Sequence, residues 1–510
     1  MRVRRGLFLA LLPLCGCAAH TAVTPTPSGA RTAAPAPKAA PSAGAQELIQ
    51  ARDLMVQSQW EQADALLRDV VGAEKFRQLN ARGQHIALEL AAEAALRLNE
   101  PERALSLVRA ACDMSDADSS DWVLRLNSAL AANESQEAVF ALTTLAQRWP
   151  QELGRTQDTE LFTYTMRALD EIDSEPERYQ LLSALHRVAF TSEPEGASYW
   201  WRDLALLQLA RGERASALQT LARASDPYVV ISIRADKRLD ALREELAERL
   251  TLAAATQQSI EDALRATQLN PNRLQPMIRL AELLVASLRL QQALHVTDAA
   301  IERQDVHGSK AWSDYEQEYT VILTIRADAL YELGRWQAAV AQLEAASRLK
   351  SADVGNIIDL AKLYNTLGRS REARETLQRD SAEDTSQFGH MQFEKQTLWA
   401  AVELHEPSKA ERALAYLREH RGDAQSAYQE ALLIADRPDA GAALLISRLA
   451  DPKQRSAALL AVQYYTENAA PPQMMGIQRR WRALLARHDV QQAIMRVGRV
   501  DHYPLMRDDY

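Results

Sequence analysis

The sequence predicts an all-α chain: an extended array of antiparallel helix pairs, closed at its C-terminal end by further helices. Three observations carry that expectation. Ala and Leu dominate the composition, with only 18 Gly and 7 Phe in 510 residues, whereas a sheet-rich chain would hold more β-branched and aromatic side chains. From about Ala45 onward nearly every segment is apolar at i, i+3, i+4 and i+7, with breaks every 12 to 18 residues. The chain also matches itself at an offset of 34 residues, and 510 residues are too many for one compact core.

In chain order, the first element is an export signal. Arg2, Arg4 and Arg5 precede an apolar run over residues 7–14 that is far too short to span a bilayer. The stretch Leu14-Cys15-Gly16-Cys17 resembles the bacterial lipoprotein signal, with a Leu three residues before the Cys and a small residue just before it. The resemblance implies removal of residues 1–16 and lipidation of Cys17, with Ala18, which is not Asp, directing the chain to the periplasmic face of the outer membrane. An ordinary secretory signal cleaved after Ala19 is the alternative. Removal of residues 1–16 takes three Arg and no acid, so the charge falls from −9 to −12. With no long basic run beyond the N-terminus, nucleic acid is not an expected partner.

Residues 17–45 follow as the lipid-bearing Cys and an Ala/Pro-rich tether whose composition cannot bury a core. Cys112 is the one thiol left in the body, so no intramolecular disulfide forms; a buried structural role is expected for it.

Residues 46–418 carry the repeat. Gly334, Ala339 and Leu343 recur as Gly368, Ala373 and Leu377; Ala327 and Leu330 recur as Ala361 and Tyr364. Ala104, Val108 and Ala111 match Ala138, Leu142 and Leu145, and Ala247, Ala263 and Ala266 match Ala281, Thr297 and Ala300. With Tyr331-Glu332-Leu333-Gly334-Arg335-Trp336 followed by Ala339, the chain resembles the tetratricopeptide repeat family. That resemblance implies a right-handed superhelical solenoid in which small residues let paired helices approach closely. The longer spacings around residues 226–238 and 302–315 read as insertions on its rim. Residues 419–510 lose the period and read as a helical C-terminal cap over the last apolar face.

By the family's geometry, first helices line a groove for a protein partner. The matching positions are Gln275, Ile278 and Glu282, then Thr324, Asp328 and Tyr331, then Ile358, Lys362 and Asn365. The Lys and Asn constellation with which some members clamp a carboxylate is not matched.

Catalytic patterns are scarce. No phosphate loop, dinucleotide fingerprint or nucleophile elbow occurs, and no cofactor or metal is implied. His405-Glu406 starts like a zinc-protease motif, but Pro407 follows and position 409 is Lys. Asp113, Asp116, Asp118 and Asp121 lack the Gly and late Glu of a calcium loop and read as a helix cap before Trp122. The expected function is a non-catalytic, lipid-anchored scaffold for an envelope complex. The alternatives are a peptidoglycan or polysaccharide binder using Trp200 beside Tyr199 and Trp201, and an enzyme around Glu467, Arg479, Arg480 and His488.

Overall fold

The computed structural model describes residues 43–155, 168–169, 174–189, 196–349, 354–379, 385–466 and 470–506. The export signal, Cys15, Cys17, nearly all of the tether and Glu467 lie outside the described residues. The chain divides into two compact units, residues 1–192 and 193–510. Both are helical-repeat solenoids of antiparallel pairs.

In the first unit, Ala43–Val56 pairs with Trp60–Val71, Ala81–Arg97 with Pro101–Cys112, and Ser119–Ala131 with Ser135–Arg148, before the helix Glu175–Arg187. The matched positions share one function. Ala104, Val108 and Ala111 are buried, and so are Ala138, Leu142 and Leu145 on the next second helix. A small residue on each such face brings the helix axes close, and the large residue fills the next turn.

In the second unit, the pairs are Gly196–Ala210 with Arg214–Leu221, Gln275–Ala286 with Leu290–His307, Tyr315–Glu332 with Trp336–Ala346, Val354–Thr366 with Ser370–Leu377, and Gln387–Glu403 with Pro407–Glu419. A further pair, Gln425–Ile434 with Pro438–Ala450, lies beyond the limit that the 34-residue period suggests.

Each of these pairs shares a backbone joint. At Ser58, Asn99, Asn133, Gly212, Leu288, Gly334, Gly368, His405 and Asp436, two residues past the first helix, φ is between 53° and 76°. In each joint two amides turn back: Gly334 donates to the Tyr331 carbonyl at 2.9 Å and Arg335 to that of Leu330 at 2.8 Å, and the other joints repeat the pattern. This closes the orphan carbonyls of the first helix and starts the second two residues later, with Pro at the first position in Pro101, Pro407 and Pro438. The left-handed conformation costs a side chain about 1 kcal/mol. His405→Gly, at an exposed joint, is therefore expected to stabilise the fold by about 0.5–1 kcal/mol, read as a higher urea midpoint.

Two sequence expectations need correction. Residues 226–238 are not a rim insertion: Pro227–Ala235 is a helix whose Val229, Val230 and Ile231 are fully buried, as its nearly all-round apolar sequence demands. It stands opposite the long helix Leu252–Leu269, while Ala247, read as a repeat position, is exposed on the short helix Arg243–Arg249. Residues 302–315 are largely exposed, yet they also hold the neighbouring pair: Asp314 accepts the Leu274 and Gln275 amides at the start of Gln275–Ala286, and Trp312 is buried beneath Arg303.

The C-terminal region does more than cover the last pair. Helices Arg455–Ala461, Pro472–Leu485 and His488–Val497 build a core with Leu433, Leu445 and Leu449, and Ala235 from the distant helix Pro227–Ala235 joins it. Two short parallel strands, Tyr464–Tyr465 and His502–Tyr503, then bring the chain back across the unit. The second unit thus closes on itself.

Candidate functional site

The groove residues lie on three successive first helices, but their side chains are not equivalent. Gln275, Glu282, Thr324, Tyr331 and Lys362 are half-buried and Asp328 is exposed, whereas Ile278 and Ile358 are buried. Asn365 is 0% exposed; its Nδ2 donates to the Gln396 carbonyl at 3.0 Å and to Gln396 Oε1 at 3.3 Å. The next first helix, Gln387–Glu403, packs over it, so Asn365 joins two helices and is not offered to a ligand. The surface row is Gln275, Glu282, Thr324, Asp328, Tyr331 and Lys362, with mixed charge. Beside it, Tyr364 donates to Glu344 at 2.6 Å, a bond that holds the Glu344 carboxyl below its ordinary range.

Sequence reasoning missed a pocket of about 220 Å³ at the C-terminal end of the array. Trp399, Ile434 and Ile477 form its apolar floor, and Glu403, Gln473 and Arg480 stand around it. Arg480 also donates to the Leu433 carbonyl at 3.1 Å and pairs with Asp436, so it clamps a helix end. That fixes one of the residues suggested for an enzyme; His488 is exposed at the start of its helix. No signal marked this pocket, because its walls come from three helices far apart in sequence.

The glycan platform is not formed by Trp200. It is 1% exposed, and it packs edge-to-face on Trp201 with ring centroids 6.4 Å apart. Both indoles belong to the core, which is where a first-helix position places them.

In the first unit, His85, Glu89, Glu93 and Arg97 recur every four residues along Ala81–Arg97. Asp116 and Asp121 both face His85, the latter at 2.9 Å. Asp118 accepts the Ser120 amide and Asp121 accepts the Asp118 amide, forming the expected capping box before Trp122. Burial pushes Glu89 up to about 7, the Asp121 carboxylate adds to this and His85 partly offsets it. A carboxyl that holds its proton more tightly in the fold adds stability that is whole below pH 4.5 and lost as pH rises through 7. Glu89→Gln should therefore leave the melting point unchanged at pH 4.5 and raise stability at pH 8 by on the order of 1–2 kcal/mol, a figure reduced for the partial exposure of the group. Equal effects at both pH values would refute this assignment. Burial also pushes the half-buried Cys112 thiol up to about 11, which disfavours its thiolate form at neutral pH.

Among the described residues no group of His, Cys, Asp and Glu is placed to hold a metal ion, and no helix is long and apolar enough to cross a membrane. The class of protein that this architecture defines is an all-α helical-repeat solenoid.

No protein-family model matches the sequence, and no curated protein matches it. Among solved structures the chain is similar to yeast Tom70, with 9% identity over 89% of this chain and 99% of that one and a TM-score of 0.31. It is also similar to the APC/C hetero-tetramer Cut9-Hcn1, with 11% identity over 89% and 86% of the two chains and a TM-score of 0.30. A third is Naa15/Naa10 bound to HypK-THB, with 12% identity over 89% and 74% and a TM-score of 0.26. These superpositions are loose, and the class stated above rests on the chain's own helix pairs and joints.

Proposed function

We propose that the protein is a non-catalytic interaction scaffold, anchored by a lipid on Cys17 to the periplasmic face of the outer membrane, that binds a protein partner of an envelope complex. The observation that carries the reading is the surface row from three consecutive pairs. Gln275, Glu282, Thr324, Asp328, Tyr331 and Lys362 give a long face of mixed charge and amide groups, suited to an extended protein surface more than to one small substrate. The N-terminal sequence supports the anchor, and residues 18–42, ahead of the first helix Ala43–Val56, would span at most roughly 78 Å if extended.

The test is crosslinking and affinity capture from envelope membranes with the native chain, Cys17→Ser, and an Asp328→Lys, Lys362→Glu double variant. The expected result is one envelope protein retained by the native chain and lost from the double variant, with Cys17→Ser absent from the membrane fraction. Membrane retention of Cys17→Ser would reject the anchor. Capture of peptidoglycan or polysaccharide with no protein would reject the scaffold in favour of a glycan binder.

A further inference from the structure

We propose that residues 498–506 are a self-ligand, docked as an extended peptide in a groove of the second unit that can exchange it for a protein segment of the same pattern, an aromatic residue followed two positions later by an aliphatic one.

The segment is held as a bound peptide is held. Its backbone pairs with three separate parts of the unit: Arg499 donates to the Ala235 carbonyl at 3.0 Å, Asp501 and Leu505 accept from the Tyr464 and Thr466 amides at 3.1 and 3.0 Å, and Met506 donates to the Ala286 carbonyl at 2.8 Å. Main-chain pairing of this kind binds an extended segment without regard to its sequence, and alternate side chains then supply the specificity. Here the alternation runs from His502 to Leu505. Tyr503 and Leu505 point inward and are buried in the cluster around Val229, Leu239 and Ala255, while His502 and Pro504 are exposed. Pro504, with no amide proton, lies where none of these bonds needs one. At the entry, Arg499 pairs with Asp240 at 2.7 Å. Gly498 passes so close to the fold that a Cβ there would collide with Leu459 and lie 2.9 Å from the Ala235 carbonyl oxygen.

One contact is incomplete. The Tyr503 hydroxyl is buried with no hydrogen-bond partner, so the groove accepts the ring and leaves the hydroxyl unmet. A phenylalanine at that place would not carry the cost. Release of the segment would also free Gln463, which donates to the Arg499 carbonyl and accepts the Asp501 amide at 2.9 Å each, and the Tyr228 hydroxyl, which donates to the Met506 carbonyl at 3.0 Å.

The inference goes beyond the scaffold reading, and its test uses no envelope partner, so either can fail alone. A fluorescein-labelled synthetic peptide with the sequence of residues 498–506 is titrated by anisotropy onto the full chain and its variants. Gly498→Ala loosens the internal copy and should bind the peptide at least about tenfold more tightly than the native chain, and Tyr503→Phe more weakly than the native chain. Equal binding to the native chain and to a folded Gly498→Ala would overturn the proposal. Should that variant unfold, hydrogen exchange on the native chain decides: the Tyr464, Thr466 and Met506 amides should exchange at least about ten times faster than the Val230 amide, through local opening. Equal rates would mean that the segment leaves only when the whole unit unfolds, and the proposal falls.

Discussion

Asn365→Asp is expected to destabilise the chain by roughly 3–5 kcal/mol, because it sets an unpaired charge in a fully buried place. The side-chain nitrogen now donates to the Gln396 carbonyl and to Gln396 Oε1. A carboxylate there would face two acceptors and lose both bonds. Lys362→Glu, one turn earlier on the same helix and half-buried, should change stability by less than about 1 kcal/mol. Urea unfolding followed by circular dichroism separates the two, and similar midpoints for both variants would contradict the placement of Asn365. The contrast also sets a rule for mapping the groove: loss of binding after a change at Asn365 reports on folding, and loss after a change at Lys362 reports on the surface.

Trp200→Ala should cost a similar amount, roughly 3–5 kcal/mol, through the cavity it leaves in the first pair of the second unit. An exposed stacking platform would behave otherwise, with little loss of stability and a clear loss of sugar binding. A Trp200→Ala chain that melts with the native one would therefore return the aromatic stretch to the surface. Trp200→Phe, which keeps most of the buried ring area, should recover more than half of the loss.

The period-bearing parts of the fold were legible because packing repeats there. Ala327 and Ala361, or Leu343 and Leu377, answer the same steric demand in successive pairs, and the demand is written in residue size. The pair joined at Asp436 was not legible, since its joint holds neither Gly nor the aromatic that follows Gly334. Pro227–Ala235 was misread for a different reason: a break in the period looks like an insertion even when its residues are the most apolar in the region. The groove was legible to the level of the helix and not of the side chain. A position that faces outward at Asp328 is overlaid by the neighbouring helix at Asn365, and helix spacing in sequence does not report that overlap. The return of residues 498–506 depends on pairings across more than 200 residues, such as Arg499 with Asp240, for which no local pattern exists.

The joints between helices carry a consequence for how such a chain can change over time. Each is closed by two amides and two carbonyls, atoms that every residue except proline supplies, and Ser, Asn, Leu, His and Asp stand in it beside Gly. A hinge built from the common backbone lets its lettering drift at a penalty of about 1 kcal/mol per substitution, while the pairs it links keep their places. Architecture of this kind outlasts its own spelling, so two chains can retain the same plan after their sequences have ceased to resemble each other.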